Sequence, residues 1–292
     1  MASVLGVDIG GSKVLVGVVD ANGHVHEVQR RATGAELSSS DLLEAVRSPM
    51  CDLMARHDVA AIGVGCPGPM TRGATLVSPL NLPQWRDFAL RDTLAEFGLP
   101  VVVDNDVKAL ARGEGWVGAA RGCQDYISVV VSTGIGGAVV VGGRVIDGAS
   151  GNAGHIGHVV VVPDGERCAC GARGCVEAEA SGSAVARRSG RNAAAADESQ
   201  WRRSATRVGR ALASVAVVVD PALIAVGGGF ALGIGEGYIT AVRDAYAAAI
   251  GMPFAREVAI VASTLGRDGG VVGAAALAFE LMGDCFELMG DR

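Results

Sequence analysis

His158, Cys168, Cys170 and Cys175 place one imidazole and three thiols in a single short run that ends at Glu177. This is the donor set of a closed structural zinc site, in which four N and S ligands complete a tetrahedron. Gly165, Gly171 and Gly174 lie among the donors and permit the tight turns that bring three sulfurs to one ion. The alternative is free or disulfide-bonded cysteines. Cys168 and Cys170 are too close in sequence to pair easily, and three thiols leave one over.

A second kind of chemistry is written in glycine turns. Asp8-Ile-Gly10-Gly11-Ser12-Lys13 follows a strand-like run. Such a turn exposes backbone N–H groups that can cradle phosphate oxygens. Asp8 could orient a water on Mg²⁺, an ion that keeps several waters and takes few carboxylates. The spacing is neither a Walker A loop nor a dinucleotide fingerprint, and alone it also fits a plain hairpin. Ser132-Thr133-Gly134 with Gly136-Gly137 repeats the design further along. Two such turns could hold a polyphosphate. A third cluster, Gly227-Gly228-Gly229, ends another strand-like run and would let a flat ligand approach the backbone.

Asp104-Asn105-Asp106 follows a strand and opens a helix. Capping accounts for one such residue, not for three in a row. Phosphoryl transfer to an alcohol needs a carboxylate within reach of the hydroxyl proton. Gly63-Val-Gly65-Cys66-Pro67-Gly68-Pro69 is a strand running into a rigid turn, and Asn81-Leu-Pro83-Gln-Trp85 follows it. Trp85 suits either a site or a core edge.

The elements that must position these groups alternate in type. Strands are expected over 3–8, 14–19, 59–65 and 101–104, and helices over 42–57 and 90–97. A second cycle begins near Asp125 with strands over 126–132 and 138–141. Both halves open as strand, glycine turn, strand. Residues 180–203 read as a surface helix and loop, 204–219 as a helix, and 270–282 as a closely packed helix rich in small residues. The close of the chain, 287–292, reads as loosely ordered.

Taken together, the run from His158 to Glu177 resembles the zinc loop of the ROK sugar kinases. That pattern is Glu-x-Gly-His, nine residues, Cys-x-Cys, four residues, Cys-x-Glu, and it departs here only at His155, where the family has Glu. The resemblance extends over nearly the whole chain. It implies an α/β, two-domain actin-like ATPase (ribonuclease H-like) fold with a ligand cleft between the domains. The small domain would span 1–115, joined by the C-terminal helix 270–292. The large domain would span 116–269 and carry the zinc loop 157–177.

The resemblance also implies roles. Asp106 is the general base. Gly65, Gly68, Asn105, His155, His158 and Glu177 join it in binding sugar. Asp8, Gly10, Gly11, Ser12, Lys13, Thr133, Gly134, Gly228 and Gly229 bind ATP with Mg²⁺. His158, Cys168, Cys170 and Cys175 hold structural Zn²⁺. The implied reaction is ATP-dependent phosphorylation of the 6-hydroxyl of glucose or a close relative, with cleft closure excluding water. An amino sugar or N-acetylhexosamine is the alternative substrate. A sugar-sensing regulator with an added DNA-binding segment is the competing class. Only seven residues precede Asp8, so the enzyme is expected. A catalytically idle binding protein is a third reading.

At 292 residues the chain suits two modest domains or one large one. Aromatics make up only 4%, and glycine numbers 43, so the cores must be built from small aliphatic residues packed closely. The net charge of −6 and the lack of a basic stripe argue against nucleic acid. No signal peptide is visible, and the apolar stretch 211–219 is too short to span a bilayer. The cysteines do not form a disulfide framework. A cytoplasmic protein with no membrane partner is expected, assembled as a homodimer or homotetramer on the family resemblance.

Overall fold

A computed structural model describes residues 2–283. The chain divides into two compact units. Unit 1 holds residues 2–122, the segment Asp147–Ala153, and residues 265–283. Unit 2 holds Cys123–Ile146 and Gly154–Thr264.

Unit 1 opens with strands β1 (Ser3–Ile9), β2 (Lys13–Asp20) and β3 (Val25–Ala32) and helix α1 (Ser39–Met54). Strand β4 (Ile62–Cys66), helix α2 (Leu90–Leu94), strand β5 (Val101–Asn105) and helix α3 (Asp106–Trp116) follow. Unit 2 contains β6 (Tyr126–Val131), β7 (Ile135–Val141), β8 (Arg144–Val145), α4 (Val176–Ala180), α5 (Gly182–Ser189) and α6 (Glu198–Val219). It continues with β9 (Leu223–Gly227), α7 (Gly229–Ile234), α8 (Glu236–Ala249) and β10 (Ala259–Ala262). The chain returns to unit 1 in α9 (Gly269–Met282).

The two sheets share one plan. Unit 1 is ordered β3-β2-β1-β4-β5 and unit 2 β10-β9-β6-β7-β8. Each opens with an antiparallel pair, β1–β2 or β6–β7, and extends its first strand in parallel, β1–β4–β5 or β6–β9–β10. The similar openings visible in the sequence are therefore a repeated half-sheet.

Glycine and alanine let helix backbones lie directly on the first sheet. A Cβ at Gly63 would meet the Ala274 carbonyl oxygen of α9. Where α3 crosses α9, a Cβ at Gly113 would lie 3.0 Å from the Gly273 Cα. Interiors this dense accept no added methylene without backbone movement. The position of α3, and of the residues that open it, is thereby set to within a fraction of a side chain.

Several boundaries differ from the sequence expectation. Helix α6 begins at Glu198, not at 204, because Asp197 and Gln200 form a reciprocal capping box at its start. Most of 180–203 is thus helical, and α5 buries Ala184 and Val185. Segment 147–153, expected within 116–269, packs in unit 1. Its Asn152 exchanges two hydrogen bonds with the Met70 backbone, at 2.9 and 3.1 Å. Strand β3, with five of its eight residues charged or polar, and helix α8 carried too weak a pattern to be singled out. The expectation for 287–292 and the last part of helix 270–292 lie outside the described residues. No helix among the described residues is long and apolar enough to cross a membrane.

Candidate active site and metal centre

In unit 1, register gathers chemistry at the carboxyl ends of the parallel strands, where open α/β sheets bind ligands. Asp8 of β1 pairs with Gly65 of β4, and Gly65 and Cys66 pair with Asp104 and Asn105 of β5. Helix α3 starts at the next residue, Asp106. Its first free N–H, at Val107, donates to Asp106 Oδ1 at 2.9 Å and to Asn105 Oδ1 at 3.2 Å. A Cβ at Gly65 would lie 3.3 Å from the Asp106 Cα. Glycine there therefore leaves the start of α3 close against the strand end.

The turn at Gly10-Gly11-Ser12-Lys13 is closed by the Gly10 N–H donating to the Lys13 carbonyl at 2.8 Å. A side chain at Gly11 would strike Asn81, at 2.7 Å from its Nδ2. The Gly68 and Pro69 carbonyls accept from the Leu80 and Ser78 N–H groups at 3.2 and 2.9 Å, bracing that turn. Trp85 is fully buried and stacked on Phe88, so the structure makes it core.

Asp8 lies beside the start of α9, where a Cβ at Gly270 would meet its carboxylate. Burial raises its pKa to about 6, partly offset by Lys13. The folded value exceeds the ordinary 3.8, so the fold favours the protonated acid. The resulting loss of stability begins as pH rises through about 4 and is complete above about 6. Asp8→Asn is accordingly expected to stabilise the ligand-free protein at pH 7–8 by about 1–3 kcal/mol and to leave it unchanged near pH 4. Denaturation at the two pH values checks this; equal effects at both would refute the assignment.

In unit 2, the second glycine turn, 132–134, joins β6 to β7, and the Ser132 N–H closes it onto the Gly134 carbonyl at 2.9 Å. Gly228 has φ +96°, and a Cβ there would lie 2.5 Å from the Val131 carbonyl oxygen. The third glycine cluster is thus pressed against the end of β6. Beside both turns lies a cavity of ≈ 450 Å³. Ser132, Thr133, Gly229 and Phe230 line it, together with Gly182, Ser183 and Asn192. The last three were missed in sequence because they fall in a stretch of small and polar residues. The available signal was Ser181, whose hydroxyl caps α5 by accepting from the Ala184 N–H at 3.1 Å.

The metal donors converge. Nδ1 or Nε2 of His158 and Sγ of Cys168, Cys170 and Cys175 all lie within 4.8 Å of one another. His158 Nδ1 is 3.6 Å from Cys168 Sγ, and Cys170 Sγ is 3.7 Å from Cys175 Sγ. Tetrahedral zinc with bonds of about 2.0–2.3 Å places its donors roughly 3.5–3.8 Å apart. These residues fit that ion. Burial and the neighbouring sulfurs push the Cys175 thiol up to about 12 without a cation.

The donor loop is fastened to the glycine turn at 132–134. Glu177 Oε2 accepts from the Ile135 N–H at 3.0 Å. The Gly182 and Ser183 N–H groups donate to the Ser132 and Thr133 carbonyls at 2.8 and 3.2 Å. Buried Glu179 accepts from the Glu166 N–H at 2.6 Å and pairs with Arg188 and Arg207 at 3.0 and 2.9 Å. His155 is exposed and stacks on the His158 ring at 5.8 Å.

Comparison with known proteins matches this chain, over residues 4–280, to the model of the ROK family. A glucokinase of Streptomyces coelicolor is 31% identical over 96% of this chain and 98% of its own length. An N-acetylmannosamine kinase of Citrobacter koseri is 36% identical over 94% and 98%. Among solved structures, a ROK family glucokinase from Streptomyces griseus in complex with glucose and AMPPNP superposes with a TM-score of 0.84. It is 32% identical and covers 96% of this chain and 100% of its own.

Proposed function

The chain belongs to the ROK family, and on that premise we propose that it is an ATP-dependent hexose kinase acting on the 6-hydroxyl of glucose or a close relative. The observation that carries the reading is the register of β1, β4 and β5. It sets Asp8, Gly65 and Asp104 in one row beside a glycine turn, with Asn105 ending β5 and Asp106 opening α3 directly after it. The bound glucose and AMPPNP of the Streptomyces griseus glucokinase support the same pair of substrates.

In this reading the sugar hydroxyl oxygen attacks the γ-phosphorus, the bond to ADP breaks, and the hydroxyl proton passes to Asp106. Asn105, His158, Glu177 and the turn at Gly65 and Gly68 orient the sugar. The turns at Gly10-Gly11-Ser12-Lys13 and Thr133-Gly134 hold the phosphates, and Gly228-Gly229 borders the nucleoside. Asp8 would orient the hydrated Mg²⁺ that neutralises phosphate charge when ATP is bound. Three thiolates and His158 would hold structural Zn²⁺. Ligation through one ring nitrogen leaves the other as an N–H donor for sugar. The family resemblance supports a homodimer or homotetramer, and cysteines without the look of a disulfide framework support a cytoplasmic location.

His155 favours a second reading of the substrate. A carboxylate accepts through two oxygens, whereas neutral imidazole offers one donor and one acceptor. That pattern, with the N-acetylmannosamine kinase relative, points to an amino or N-acetylated hexose. The test is ADP release with glucose, mannose, glucosamine, 3-amino-3-deoxyglucose, N-acetylglucosamine and N-acetylmannosamine. Turnover must require both sugar and ATP; none with any sugar ends the kinase reading. His155→Glu is expected to shift relative kcat/KM toward glucose by roughly tenfold, the worth of one good hydrogen bond. An unchanged ratio removes His155 from specificity.

A further inference from the structure

Lys108 is a buried cation that none of the chemistry above uses. It lies on α3, two residues beyond Asp106, and its side chain is only 2% exposed. Its ammonium donates to Asp147 Oδ1 and to the Gly151 carbonyl, both at 2.7 Å, and stands 3.9 Å from Asp104 Oδ1. Both short bonds go to the segment 147–153. The same segment is fixed at its other end by Asn152, whose amide meets the N–H and carbonyl of Met70. Met70 directly follows the Gly68-Pro69 turn. Gly151, the second Lys108 acceptor, adjoins Asn152 and has φ +88°, and a Cβ there would lie 3.1 Å from the Arg72 Cα.

From this we infer that 147–153 is a strap held by two side chains, with Lys108, bonded at Asp147 and Gly151, the positioning residue that sets Asp106 and Asn152 the one that sets the Gly68-Pro69 turn. The inference rests on the proposed kinase reading. Lys108 touches no substrate in this account. Its ammonium ties the first turns of α3 to the strap, and Arg112, one turn further on, ties α3 to Asp104 at 2.8 Å. Long ammonium groups enter protein interiors only where charge and hydrogen bonds compensate them. Here both compensating short bonds come from the strap. Displacing a reacting group by about 1 Å costs on the order of 10²-fold in rate. A slack strap at the Lys108 end should therefore appear in the chemical step. A slack strap at the Asn152 end should appear in sugar binding.

The experiment measures kcat and the KM for sugar and ATP in the full-length parent, Lys108→Met, Asp147→Asn and Asn152→Ala. Methionine keeps the apolar stem, and Asp147, half exposed, stays hydrated when the ammonium is gone. Asp147→Asn is a milder variant that still carries the test should Lys108→Met fail to fold. Lys108→Met is expected to lower kcat about 10–100-fold with sugar KM within about threefold. Asp147→Asn should lower kcat in the same sense by a smaller factor. Asn152→Ala is expected to raise sugar KM about 5–10-fold with kcat within about twofold. Folded variants with parental kcat at the Lys108 end, or both ends changing the same parameter alike, overturn the inference. A parent that phosphorylates no sugar removes the kinase reading instead, and the inference with it.

Discussion

Asp106→Asn is expected to lower kcat by about 10²–10⁴-fold while leaving the fold and sugar affinity near parental levels, the usual range for loss of a general base. The amide matches the carboxylate in shape and cannot take up the hydroxyl proton. Its remaining oxygen can still accept from the Val107 N–H, the bond that Asp106 Oδ1 makes at 2.9 Å, and Asn105 shares that donor at 3.2 Å. The start of α3 therefore keeps its cap. Calorimetry for sugar and ATP binding, paired with single-turnover ADP release, separates the two effects. A variant that binds both substrates and turns over at near the parental rate would remove Asp106 from the chemistry. The contrast with Asp8→Asn is useful, because that change is expected to stabilise the ligand-free protein at neutral pH.

Losing one donor of the proposed zinc site should have the other large effect. Structural zinc contributes roughly 10–16 kcal/mol of apparent binding energy in small peptides. Only part of this appears in a folded unit, because Glu179 still clamps the loop through Glu166, Arg188 and Arg207. Cys170→Ser, at the exposed donor, is expected to lower the melting temperature by on the order of 10 °C, at roughly 2–4 °C per kcal/mol for a domain of this size. Sugar KM should rise as well, because His158 and Glu177 belong to the same loop. The bonds from Glu177, Gly182 and Ser183 to the turn at 132–135 extend the effect to ATP KM. Metal analysis and thermal melting check the claim without reference to activity. Purified protein free of zinc, with full activity and an unshifted melting point, would contradict it.

What the sequence determined by itself is what depends on local spacing. Three cysteines and a histidine separated by short glycine-containing turns can reach one point almost regardless of the surrounding fold, and the four donors do meet. The strand–glycine turn–strand openings and the run Asp104-Asn105-Asp106 were legible for the same reason. A turn or a helix start is encoded within a few residues. The ROK resemblance extended that reading to the actin-like fold.

Tertiary structure decided what depends on distant segments. Nothing local places Asp147 and Gly151 on Lys108, or Asn152 on Met70, because these contacts join residues about 40 to 80 positions apart. Lys108 reads in sequence as one more helix charge, and only burial against a returning loop gives it a partner. Trp85 was ambiguous until Phe88 and the buried aliphatic residues of unit 1 enclosed it. The cavity lined by Gly182, Ser183 and Asn192 forms only where α5 meets the turn after β6, through backbone bonds that carry no side-chain signature. The raised pKa of Asp8 likewise comes from enclosure beside Gly270, which lies at the far end of the chain. Sequence spacing fixes which groups can act together over a few residues. Burial and long-range packing fix their protonation, their partners and their aim.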